Sequence, residues 1–127
     1  MTGKKTEQSV EDYLETILVL SKRLPAVRSV DIANELGYKK SSVSVAMKNL
    51  LEKGYIAVSD VGHYILLTES GTKLAEIIYE RHTLLSKWFI ELGVDERTAV
   101  DDACRIEHQI SAESFKALKD FFASHGL

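Results

Sequence analysis

Between Tyr55 and Thr68 the sequence changes period, and that change limits the folds open to this chain. Elsewhere, apolar residues recur every three or four positions. In YIAVSDVGHYILLT, two β-rich runs flank SDVGH, whose Asp60 and Gly62 suit a turn. This predicts one short hairpin among helices.

Before the hairpin, Val10, Tyr13, Leu14, Ile17 and Leu24 form one apolar stripe, predicting a helix over residues 9–24 that Pro25 ends. In SVDIANELG, Ser29 is the expected N-cap. Ile32, Ala33 and Leu36 are the expected inner face, and Gly37 closes the helix. After the turn GYKK, Val43, Ala46, Met47, Leu50 and Leu51 give a third stripe that Gly54 stops. The order helix, helix, turn, helix, hairpin is that of a winged helix-turn-helix, whose third helix enters the DNA major groove. In KKSSVSVAMK, Lys39 and Lys40 are placed to neutralise phosphates and Ser41 to cap the helix. Ser42 and Ser44 are short donors for backbone or base edges. Arg28 and Lys48 complete the expected DNA-contacting set. A generic helix start with solvated lysines is the plainer alternative.

After the hairpin a long helix is predicted over residues 69–92. Its broad apolar face (Leu74, Ile77, Ile78, Leu85, Trp88 and Phe89) suggests packing on a partner as well as on its own domain. Gly93 breaks it. Two further helices are expected, over residues 95–110 and 111–124, the last carrying Phe115, Leu118, Phe121 and Phe122. The expected class is mainly α: a winged helix-turn-helix domain (residues 1–71) followed by a second, helical domain (residues 72–127).

The net charge of −3 hides a polarity. Seven bases and three acids lie between Lys22 and Lys53, against four bases and seven acids from Asp95 to Leu127. One half suits phosphate and the other cations. No run approaches the ~20 apolar residues of a membrane span, and MTGKKTEQSVEDY has no apolar signal core. With a single cysteine, these features lead to the expectation of a cytoplasmic protein.

That cysteine sits in DDACRIEHQIS. At 100° per residue, Val100, Ala103, Cys104, Glu107 and His108 fall on one side of a helix, expected to face inward. A thiolate, a carboxylate and an imidazole so close can share one cation. A small buried thiol beside a Glu–His pair is the bland alternative; a Cys104 nucleophile activated by His108 is a third. No oxyanion-hole or Gly-rich signal supports an enzyme. His82 lies on the flank of the long stripe, and alone reads as a core-edge histidine. Asp12 and Glu15 read as a solvated face. His63 and His125 carry no partner signal.

VEDYLETIL, SVDIANELGYKKSSVSVAMKNLLEKGYI, LTESGTKLAEIIYERHTLL and DDACRIEHQIS, in this order, resemble the diphtheria toxin repressor family of metal-activated repressors. The resemblance covers essentially the whole chain. It implies a homodimer that binds double-stranded DNA at a palindromic operator when loaded with Mn(II) or Fe(II). It also implies that Asp12, Glu15, His82, Cys104, Glu107 and His108 are metal ligands. Cys104 stands where manganese-type members carry Glu, and Asp12 where iron-type members carry Met. Ser86 and Val100 replace the Glu and His of the iron-type ancillary site. The chain is also expected to be a short form without the SH3-like extension. A thiol-redox regulator using Cys104 is the alternative function.

Overall fold

The computed structural model describes residues 2–127, with side chains described from Ser9 onward. It divides into two compact units, residues 1–76 and 77–127.

In the first unit, α1 (Thr2–Arg23) begins seven residues before the helix start predicted at residue 9. It ends where Leu24 N–H donates to Leu20 O at 2.8 Å, just before Pro25. Helix α2 (Ser29–Leu36) is preceded by Arg28, not capped by Ser29. The Asp31 carboxylate instead accepts the Arg28 N–H at 2.9 Å. Gly37, at φ 71°, closes the helix as its spacing predicts. Helix α3 (Lys40–Glu52) starts from Lys39, so Ser41 lies inside the first turn and caps nothing. Its buried row is Val43, Met47 and Leu50. Leu51, expected inward, is 46% exposed.

Strands β1 (Ile56–Val58) and β2 (Ile65–Leu67) pair antiparallel, with Ile56 opposite Leu67 and Val58 opposite Ile65. Ile65 N–H also donates to Val27 O at 2.8 Å, tying the hairpin to the segment before α2. Leu14, Ile17, Ile32, Val43, Leu50 and Ile56 are almost completely buried in this unit. Each contributes about 1.5–3 kcal/mol by leaving water.

Helix α4 (Glu69–Glu91) contains the boundary between the units. In the second unit it is followed by α5 (Glu96–Ile106) and α6 (Ala112–Ser124), shorter at their junction than the sequence suggests. Asp95 caps α5 by accepting Thr98 N–H, and Ser111 caps α6 by accepting Ser114 N–H. The core is Leu85, Trp88, Ala103, Phe115 and Phe122. Trp88 stacks on Phe122 with centroids 4.8 Å apart. Trp88 therefore packs in the core of its own unit. Leu118 and Phe121 of the same aromatic row face outward, as do Ile90 and Leu92.

Gly71, at the start of α4, is buried against β1's approach. A Cβ there would collide with the Tyr55 carbonyl oxygen, an atom held by Thr68 N–H at 3.0 Å. Gly71→Ala should therefore lower unfolding stability by about 1–3 kcal/mol. A urea midpoint unchanged from wild type would contradict this.

Candidate metal centre

The C-terminal turn of α5 is where the second unit departs most from a simple amphipathic helix. The buried row of α5 is Ala99, Ala103 and Glu107, four residues apart. Cys104 and Val100 lie off this row and are exposed, contrary to the expected inward face. The helix also ends earlier than expected. Ile106 is its last residue, Glu107 is the C-cap, and His108 lies in the turn that follows.

The Glu107 carboxylate is completely buried. An ionised group out of water needs partners, and two imidazoles supply them. His82 Nδ1, from the middle of α4, is 2.8 Å from Glu107 Oε2. His108 Nε2 is 3.3 Å from Oε1, near enough for charge attraction but out of line for a hydrogen bond. Burial pushes the Glu107 carboxyl up, yet the nearby imidazoles of His108 and His82, the latter through its hydrogen bond, outweigh burial and hold the carboxyl below its usual range. The group is thus ionised at neutral pH. Its stabilising contribution is lost as pH falls through that lowered value.

Arg81, beside His82, fixes the turn. Its Nη1 donates to both Glu107 O and Ile110 O, each at 3.1 Å. Its guanidinium lies 5.8 Å from the Phe115 ring centroid. The sequence reading missed this residue. Its only signal was its place next to His82 in YERHTLL.

In the first unit, Asp12 and Glu15 are half-buried, not on a solvated face, because α1 has no exposed residue from Val10 to Leu20. Arg28, Lys39, Lys40, Ser41, Ser42, Ser44 and Lys48 are all exposed. At the position of the iron-type ancillary pair, Ser86 is buried and Val100 exposed.

Residues 5–64 match the N-terminal DNA-binding domain of iron-dependent repressors, and residues 68–125 their metal-binding and dimerisation domain. An HTH-type transcriptional regulator of Methanocaldococcus jannaschii is 37% identical over 117 residues, covering 90% of this chain and 92% of that protein. The chain belongs to the iron-dependent repressor family. Within it, transcriptional regulator MntR of Escherichia coli is 33% identical over 117 residues, 92% of this chain and 75% of that protein. Among solved structures, the manganese regulator SloR is similar with a TM-score of 0.78 and 27% identity over 90% of this chain. This chain spans about half of SloR, 53% of its length.

A member of this family is expected to hold a divalent metal, and the second unit passes a direct test of fit. Among the described residues, the buried Glu107 Oε1 receives no well-aligned hydrogen bond. Each oxygen of this carboxylate faces a different imidazole, and a carboxylate paired with an imidazole offers the nitrogen and oxygen donors that a first-row transition ion takes. Among the described residues no helix is long and apolar enough to cross a membrane.

Arg81 should matter through the turn it holds. Arg81→Met removes two charge-assisted hydrogen bonds and should cost about 1–3 kcal/mol of stability. An unaltered thermal unfolding curve would show that the Glu107–Ile110 turn is held by something else.

Proposed function

We propose that this chain is a homodimeric repressor that binds a palindromic DNA operator when loaded with Mn(II) or Fe(II), controlling genes of metal uptake. The observation that carries the reading is the fully buried Glu107 carboxyl with the imidazoles of His82 and His108 beside it. Such a cluster is costly in a bare protein core and well suited to a cation. Likeness to manganese regulators supports the same reading.

Glu107, His82 and His108 are the ligands the second unit contributes. The family resemblance adds Asp12 and Glu15 of α1, together with Cys104, to the metal ligands. When bound, the metal supplies positive charge that offsets the carboxylates and coordination bonds that fix its ligands. The state of the chain that presents the full ligand set is favoured by its higher metal affinity. On the DNA side, the exposed face of α3 presents Lys40, Ser41, Ser42, Ser44 and Lys48, with Lys39 just before it and Arg28 before α2. The lysines and Arg28 neutralise phosphates, and the serines are short donors near base edges. A DNA-binding regulator of this kind works in the cytoplasm and performs no catalysis.

The exposure of Cys104 favours one second reading, a thiol-redox regulator in which oxidation of its sulfur replaces metal as the signal. The two readings separate cleanly. A metal-dependent repressor gains DNA affinity with Mn(II) or Fe(II), whereas a redox regulator responds to peroxide and ignores the ions.

His108→Ala should abolish metal-stimulated DNA binding while leaving a folded dimer by sedimentation. Full stimulation of this variant by Mn(II) or Fe(II) would remove His108 from the ligand set. Cys104 has its own readout. If its sulfur is a ligand, the Co(II)-loaded protein shows a sulfur-to-metal charge-transfer band in the near ultraviolet, which Cys104→Glu removes while keeping Mn(II) activation. Absence of the band in wild type would leave only carboxylates and imidazoles on the metal.

A further inference from the structure

Arg28 stands immediately before α2 and is exposed. Its guanidinium lies over the ring of Tyr64, 5.0 Å from the centroid, and its Nη2 is 3.5 Å from the Tyr64 hydroxyl oxygen. The ring is itself held firmly. Tyr64 N–H donates to Ser59 Oγ at 2.8 Å, and Tyr64 O accepts Ser59 N–H at 2.9 Å. Gly62 lies against its face, where a Cβ would come within 2.7 Å of Tyr64 Cε2. The bond from Ile65 N–H to Val27 O fixes the neighbours of both residues, and Asp31 holds the Arg28 backbone. Ring and arginine are thus anchored separately, one in the hairpin and the other at the start of α2.

We propose that Tyr64 is a positioning residue for DNA binding, its ring holding the Arg28 guanidinium ready to meet a backbone phosphate of the duplex. This inference rests on the repressor reading above. An exposed arginine normally samples many rotamers, and ordering it on contact with DNA weakens binding. Stacking restricts it beforehand. The guanidinium lies over the ring, while its N–H donors remain available, apart from the one near the tyrosine hydroxyl. Their planar fork matches the geometry of a phosphate. Neither hairpin pairing nor the core uses the guanidinium, so its placement is unexplained by folding. Phosphate is the partner that fits, because Arg28 is an exposed base of the same unit as the exposed Lys39, Lys40 and Lys48.

The test is a double-mutant cycle on the full-length protein loaded with Mn(II) or Fe(II). Binding of a labelled duplex of mixed sequence is followed by anisotropy over a range of salt. Arg28→Gln should lower the salt slope by about one per bound chain. Tyr64→Leu should weaken binding roughly two- to fivefold per bound chain, and this loss should disappear in the Arg28→Gln background. Tyr64→Phe should keep most of the affinity. A Tyr64→Leu effect of equal size in both backgrounds, or no effect in either, overturns the proposal. Should Tyr64→Leu fail to fold, Arg28→Lys provides the second route. It keeps the charge and salt slope but loses the stacked fork, so wild-type affinity in Arg28→Lys also overturns the proposal. A wild type that binds no duplex with either ion overturns the repressor reading and this inference together. A wild type that binds, with no coupling in the cycle, overturns this inference alone.

Discussion

A carboxylate with no access to water sets the terms for the second unit. Glu107 is ionised and buried, a combination that costs several kcal/mol unless opposite charge and donors are fixed around it. The surrounding structure supplies them from two directions. His82 projects from the middle of α4, and His108 follows Glu107 directly, so one imidazole comes from a helix and the other from a turn. The aromatic packing of Trp88 on Phe122 and Phe115 joins α4 to α6 in the same unit. Arg81 then holds the backbone of the turn itself. A core this small thus serves as a frame for a polar centre.

Much of this was legible in the sequence. Glycines at positions 37 and 93 end helices because a left-handed residue is needed there, and both do so. The hairpin was visible as a change of period. The pairing of Glu107 with histidine chemistry followed from spacing and resemblance together.

The failures have physical causes. The helical wheel placed Cys104 inward because it averaged over five residues. The true row, Ala99, Ala103 and Glu107, is a narrower one that small side chains allow to approach closely. Ser29 and Ser41 looked like caps by residue type, but capping depends on where the backbone turns, which Arg28 and Lys39 decide. Asp12 and Glu15 looked solvated because polarity was taken for exposure, although α1 is covered around most of its girth. Arg81 and Tyr64 act through long-range contacts, at 26 and 36 residues' separation, that no local pattern encodes.

The early end of α5 has an electrostatic consequence. In a helix continuing well past this point, Glu107 and His108 would have stood on its side, where the peptide dipoles of a helix nearly cancel. Because α5 stops at Ile106, they stand instead at its carboxyl end. There the last carbonyls carry an uncompensated partial negative charge, equivalent to roughly half an electron in an unscreened helix. That field is part of the backbone and is present whatever side chains occupy the turn. It opposes a second anion and attracts cations, among them the guanidinium of Arg81, already seated on two of the turn's carbonyl oxygens. The main chain therefore contributes to the preference of this corner for positive charge, and side-chain substitutions that remove ligands will leave that contribution behind.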